Sequence, residues 1–166
     1  MAHYQFKKDI TDGEKGENLL IEYLTTNYGA TFIGKSESEE FKFWDLKFNK
    51  NQTEVTYEVK TDVYVAKGRM LPNGLYAKGY DTGNIFIEFE TRGKDSGIGV
   101  TKADWWANIF YYLGEIWFIK VNDLKKLISE NEFEIKADGV GDEGSNTKGY
   151  VIPREKFRKH FIVKRF

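Results

Sequence analysis

Two carboxylates and one ammonium stand out by residue type and spacing. In Tyr57-Glu58-Val59-Lys60-Thr61-Asp62 an acid and a lysine lie two residues apart, and Asp45 stands upstream of them. A strand over 54–60 alternates its side chains between two faces. Val55, Tyr57 and Val59 then share one face, and Glu54, Thr56, Glu58 and Lys60 share the other. Residues 41–48 also read as a strand, and Asn49-Lys50-Asn51-Gln52 reads as a turn. The two runs form an antiparallel hairpin, which brings Asp45 beside Glu58. Converging carboxylates make a hard-oxygen site suited to Mg²⁺, and a neighbouring lysine can hold or activate a water. The bland alternative is an ion pair of Glu58 and Lys60 on a solvated sheet face.

Other chemistries are poorly supplied. The chain has no cysteine, which excludes disulfides, thiolate zinc sites and cysteine nucleophiles. Its two histidines, His3 and His160, lie near opposite ends. The formal net charge of -1 is not that of a histone-like binder; it still allows an enzyme with a local basic groove. No apolar run approaches the ~20 residues of a membrane span, and the N-terminus lacks a signal-peptide core. A chain of 166 residues is expected to form one domain with a sizeable core.

Asp45 followed by Glu58-x-Lys60 resembles the signature of the PD-(D/E)xK nuclease superfamily, with Trp44 where a proline usually stands. A second Glu-x-Lys, Glu134-Ile135-Lys136, lacks the context, because the nearest upstream aspartate, Asp123, opens a helix-like run. The resemblance implies metal ligation by Asp45, Glu58 and the backbone carbonyl of Val59. Lys60 would orient the attacking water and stabilise developing charge. Thr61 and Asp62 would support these groups from behind. The implied cofactor is Mg²⁺, with Mn²⁺ able to substitute. The implied reaction is in-line phosphodiester hydrolysis leaving 5′-phosphate ends, with DNA as substrate and endonucleolytic cleavage. The expected partners are nucleic acid and a second copy of the chain, with no membrane. The expected setting is the cytoplasm of a bacterial or phage-infected cell. A nucleic-acid-binding or assembly protein without catalysis is the alternative.

The elements that must position these residues can be read in order. Thr11 or Asp12 can cap a helix running to about residue 27, after a polar lead-in. Gly13, Glu17, Leu20, Leu24 and Tyr28 fall on one helical stripe. Glu17 on that stripe is either a stripe-edge residue reaching water or a carboxylate aimed at the metal. The superfamily often carries an acid on its first helix in a Gly-x-x-x-Glu setting, which Gly13 to Glu17 resembles; Glu14 is the fallback. Residues 28–33 read as a short strand or a turn into one. Glu37, Glu39 and Glu40 fall in an acidic, solvated loop. Residues 65–83 carry the turn Pro72-Asn73-Gly74. There Lys67, Arg69 and Lys78 are interleaved with Tyr76 and Tyr80, after Tyr64. Such a pattern suits contacts to phosphates and bases, or is simply a long surface hairpin.

Residues 84–91 read as a third strand and 93–99 as a flexible loop. Thr101 is expected to cap a helix over 102–113, with Ala103, Trp106, Phe110 and Leu113 as its core stripe and Trp105 beside it. Residues 115–121 read as a central apolar strand. Helix, three strands, helix, strand is the superfamily's αβββαβ core. The expected fold is therefore α/β (α+β) and restriction-endonuclease-like, a central mixed sheet flanked by helices. Gly83-Asn84-Ile85-Phe86-Ile87-Glu88, Ser96-Gly97 and Thr101-x-Ala103-Asp104-x-Trp106 also resemble phage and bacterial members. The resemblance covers 13–121, leaving 122–166 as an extension of the single domain. That extension holds a helix over 122–131, a short strand over 133–136 and a glycine-bearing mobile stretch over 137–149. Pro153 then opens a helix over 154–159. Lys156, Arg158, Lys159, Lys164 and Arg165 are the densest positive segment, with Arg158 and Lys159 the candidate phosphate contacts. A solvated edge is the alternative there.

Overall fold

A computed structural model describes residues 2–37, 43–137, 144 and 146–166, with side chains from residue 12 onward. The chain is an α+β protein with three helices, a six-strand mixed sheet and smaller antiparallel sheets. Helix α1 (Ala2–Tyr28) begins well before the expected cap at Thr11 or Asp12, since neither proline nor glycine interrupts residues 2–12. Gly29 ends it at φ +61, and Ala30 N–H reaches back 3.3 Å to the Leu24 carbonyl. Gly16, Leu20 and Leu24 form its buried line. Glu17 therefore stands one place round from the stripe rather than on it, and Tyr28 is exposed.

Strands β1 (Thr31–Lys35), β2 (Leu46–Lys50) and β3 (Thr53–Asp62) form an antiparallel ribbon. Asn51 and Gln52, both at positive φ, make a two-residue hairpin turn whose twist matches its strands. The β2–β3 turn is thus shorter than the four residues expected, and β2 starts later than residue 41. Next come β4 (Arg69–Met70) and β5 (Tyr76–Ala77), which pair only with each other. The chain continues through β6 (Asn84–Thr91), β7 (Lys94–Asp95), β8 (Trp105–Phe110), β9 (Glu115–Lys120) and helix α2 (Val121–Ser129). It closes with β10 (Glu134–Lys136), β11 (Lys148–Pro153), helix α3 (Arg154–Phe157) and β12 (Ile162–Arg165). The large sheet has the order β1-β2-β3-β8-β9-β12, and a second sheet has the order β10-β11-β6-β7. Only β3 and β8 run parallel in the large sheet.

The helix expected over 102–113 does not form, so the αβββαβ order is not kept: its core is β8, an inner strand. Trp105-Trp106-Ala107-Asn108-Ile109-Phe110 is a short, almost wholly buried run. Such a run looks helical or extended by periodicity alone; its aromatic residues suit a sheet buried on both faces. Trp106 and Phe110 pack on one face with Ile85, Ile87, Trp117, Leu124, Leu127 and Ile152. Ala107 and Ile109 pack on the other with Leu20, Leu24, Leu46, Phe48 and Val59. Helix α1 thus covers one face, while the second sheet and α2 cover the opposite one. The third strand of the expected core, β6, belongs to that covering sheet. The segment 122–166 is no appendage, because β11 pairs with β6 and β12 pairs with β9. Pro153 immediately precedes α3. Glu39, Glu40 and most of the glycine-bearing stretch over 137–149 lie outside the described residues.

Candidate active site

Asp45 directly precedes β2. Its N–H donates to the Tyr57 carbonyl at 2.9 Å, and its Oδ2 accepts the Val59 N–H at 2.7 Å. The side chain therefore adds a rung to the β2–β3 ladder where the β2 backbone has stopped. In an extended strand the N–H and C=O of one residue point to the same side. The Val59 carbonyl is accordingly turned toward Asp45 as well, as a backbone ligand would need.

Glu58 is 5 % exposed. Its Oε2 accepts from the Thr101 hydroxyl at 3.0 Å, and its Oε1 lies 3.3 Å from Lys60 Nζ. That ammonium also lies 3.7 Å from Glu88 Oε2 and 5.8 Å from the centre of a Trp106 ring. Glu88 Oε1 accepts from the Ser96 hydroxyl at 2.6 Å. A polar chain, Thr101–Glu58–Lys60–Glu88–Ser96, thus runs between the two sheets, with the apolar cluster around Trp106 beside it.

Burial pushes the Asp45 carboxyl up from its ordinary 3.8 to about 7, and the charge of Glu58 pushes the same way. Lys60 and the Val59 N–H oppose the rise, and Glu17 adds a weaker repulsion. For Lys60, burial disfavours the charge, but Glu58, Glu88 and Asp45 outweigh it and hold the ammonium above its usual range. Lys60 is therefore a fixed cation, able to orient a water and stabilise an anion but not to take its proton. Among the described residues no group of three or more histidine or acidic side chains gathers as a ready-made metal cage. Two carboxylates with a backbone carbonyl still fit Mg²⁺, which keeps several waters and uses one or two carboxylates plus substrate phosphate oxygens. A cation there would also relieve the crowding of Asp45 by Glu58.

The other expected residues divide. Glu17 pairs with Lys35 at 2.7 Å, close enough to Asp45 for its charge to be felt; Glu14 is exposed. Thr61 points to the α1 face, where a Cβ built on Gly16 would sit 1.8 Å from its hydroxyl oxygen. It is not beside Glu58. Asp62 accepts the N–H groups of Tyr64 and Val65, each at 2.9 Å, and so holds the chain as it leaves β3. Lys67, Arg69 and Lys78 are exposed on and beside the β4–β5 ribbon. Arg158 pairs with Glu155 at 3.6 Å and lies over Trp117 at 5.1 Å. With Lys156 and Lys159 it lines a shallow groove.

Glu88, Ser96 and Thr101 are site neighbours that the sequence reading did not assign to the site. Glu88 is on the polar side of its strand, but which strand it would face is not written there. Thr101, expected as a helix cap, turns its hydroxyl toward Glu58 and the Phe43 carbonyl instead. The signal that did touch them is the resemblance of the segments holding Glu88, Ser96 and Thr101 to phage and bacterial nucleases. Compared with known proteins, the chain has no match among family models, curated proteins or solved structures.

Proposed function

We propose that the protein is a Mg²⁺-dependent nuclease, with Mn²⁺ able to substitute, that hydrolyses phosphodiester bonds. DNA is the proposed substrate and internal cleavage leaving 5′-phosphate ends the proposed outcome. One observation carries this reading: Asp45, Glu58, Lys60 and the Val59 carbonyl converge at the end of the β2–β3 ladder. Asp45, Glu58 and the carbonyl would hold the ion, which would neutralise the phosphodiester and lower the pKa of its water. Lys60 would stabilise charge at the reacting phosphate. Glu17 would act from further out, through the charge it projects on Asp45. Of the restriction-endonuclease-like core, α1 and the β1–β3 ribbon are the parts this reading rests on; a strand replaces the second core helix.

A second reading draws on Lys60 itself. Its ammonium already balances Glu58 and Glu88, as an internal counter-ion would in a binding or assembly protein without catalysis. Calorimetric Mg²⁺ titration beside a plasmid-cleavage rate decides between the two. Glu58→Ala should weaken Mg²⁺ binding. Lys60→Met should leave affinity equal or higher, while cleavage drops by on the order of a hundredfold or more. Normal Mg²⁺ binding by Glu58→Ala, or no Mg²⁺-dependent cleavage by the parent, leaves only the ion pair; parental cleavage by Lys60→Met takes Lys60 out of the chemistry.

A further inference from the structure

The β4–β5 ribbon stands apart from both larger sheets. Two strands of two residues each cannot bury their own side chains, and Met70, Leu75, Tyr76 and Tyr80 are all exposed, Tyr80 at 82 %. The ribbon is nevertheless ordered by backbone bonds. Ala66 N–H donates to the Tyr80 carbonyl at 2.9 Å and Leu71 N–H to the Leu75 carbonyl at 2.8 Å. The Tyr76 ring crosses to Gly68, where a Cβ would collide with it, which leaves no room for a side chain beneath that ring. Both ends are pinned, by Asp62 on the Tyr64 and Val65 N–H groups and by Asp81 on the buried Arg154. Residues 64–80 hold Lys67, Arg69 and Lys78 and no acid at all, in a chain whose net charge is -1. The ribbon leaves the strand that carries Glu58 and Lys60 and returns into the strand that carries Glu88.

We propose that this ribbon is a platform for unpaired nucleic acid, with Tyr76 and Tyr80 stacking on bases and Lys67, Arg69 and Lys78 on the adjoining phosphates. Exposed rings can stack on a flat partner, and three cations with no acid between Tyr64 and Tyr80 suit an anionic one. An unpaired strand presents both at nucleotide spacing, whereas a paired strand hides its base faces in the stack. The proposal rests on the nuclease reading and sharpens it: the strand delivered to Asp45, Glu58 and Lys60 is one with unpaired nucleotides, as in a single strand, flap or loop.

The test is binding without cleavage. A fluorescein-labelled oligothymidylate and a labelled blunt-ended duplex of equal length, without a loop, are titrated with the whole protein in EDTA. The parent should bind the single strand at least tenfold more tightly than the duplex. Tyr76→Ala with Tyr80→Ala should weaken single-strand binding roughly tenfold or more and leave the salt slope unchanged. Lys67→Ser, Arg69→Ser and Lys78→Ser together should flatten that slope by roughly two units, as expected for three phosphate contacts on a single strand. Equal or tighter duplex binding, no single-strand binding, or parental single-strand affinity in both variants overturns the proposal. Should a variant not fold, photocrosslinking of a halouracil-substituted oligonucleotide to the parent decides. Attachment at Tyr76 or Tyr80 supports the platform; attachment elsewhere, or none, overturns it. The nuclease reading fails separately, if the parent with Mg²⁺ cuts neither plasmid nor the same oligonucleotide, whatever the EDTA titration gives.

Discussion

Lys60 joins two sheets: its ammonium lies 3.3 Å from Glu58 Oε1 on β3 and 3.7 Å from Glu88 Oε2 on β6. The large sheet and the sheet that covers it are thus tied by charge as well as by apolar packing. The Lys60 side chain is 33 % exposed, so the tie is partly screened and modest. A double-mutant cycle with Glu88→Gln and Lys60→Met should show a coupling of about 1 kcal/mol in urea unfolding. Glutamine keeps an acceptor for Ser96, so the cycle reads the charge. Strict additivity would mean that the pair adds nothing to the docking of the sheets.

Asp45 predicts a pH trend opposite to that of most carboxylates. Folding raises its pKa from 3.8 to about 7. Between these values the folded chain holds a proton that the unfolded chain has released. Stability therefore falls as pH rises through this window and levels off above it, with the full contribution present below the unfolded value. In a chelator, the parent should lose stability between about pH 4 and about pH 7, and Asp45→Asn should lose less. Urea midpoints for the two proteins check it; parallel pH profiles would show that Asp45 is not strained by its neighbours.

The Asp81–Arg154 pair is lopsided. Arg154 is 5 % exposed and lies against the Phe110 ring, while Asp81 reaches solvent. The guanidinium beside it holds the Asp81 carboxyl below its ordinary range. Asp81→Ala leaves a buried cation without its partner and should cost about 3 kcal/mol. Arg154→Met fills the same space with an apolar stem and frees an aspartate that can turn to water, so it should cost about 1 kcal/mol. Denaturant unfolding of the two variants tests the order, and the reverse order would refute it.

Gly16 on α1 packs directly against Thr61 on β3. Thr61 Oγ1 is buried without a hydrogen-bond partner among the described residues, and a Cβ at position 16 would overlap it. Gly16→Ala should therefore destabilise the protein by roughly 1–3 kcal/mol despite its better helix propensity. In a Thr61→Ala background much of that loss should return. Unfolding midpoints of the two singles and the double measure it, and a stabilising Gly16→Ala would show that α1 can shift freely.

The hairpin of β2 and β3 was legible because alternation over 54–60 and the turn residues around Asn51 agree on one local structure. That agreement also placed Asp45 against Glu58. The strand β8 was not legible, since Trp105 to Phe110 is buried on both faces and carries no alternation to read. Thr101 was misread for the same reason: a threonine before an apolar run is a cap if the run is a helix, and a buried donor if it is a strand. Glu88 depends on how two sheets dock, which no stretch of sequence near it states. Glu17 fell on a loosely drawn stripe, and a shift of one position turned it toward Lys35.

Parallel pairing of β3 with β8 makes this protein late to close. The partner of β3 arrives only after the ribbon and β6 have been synthesised, and such long-range pairing is slow. As the chain leaves the ribosome, α1 and the β1–β3 ribbon can assemble first, with the flank of β3 bare for as long as β8 is missing. A bare strand edge invites pairing with the wrong chain. The nascent protein is therefore expected to pass through a sticky interval, which the insertion of Trp105 to Phe110 beside β3 would end.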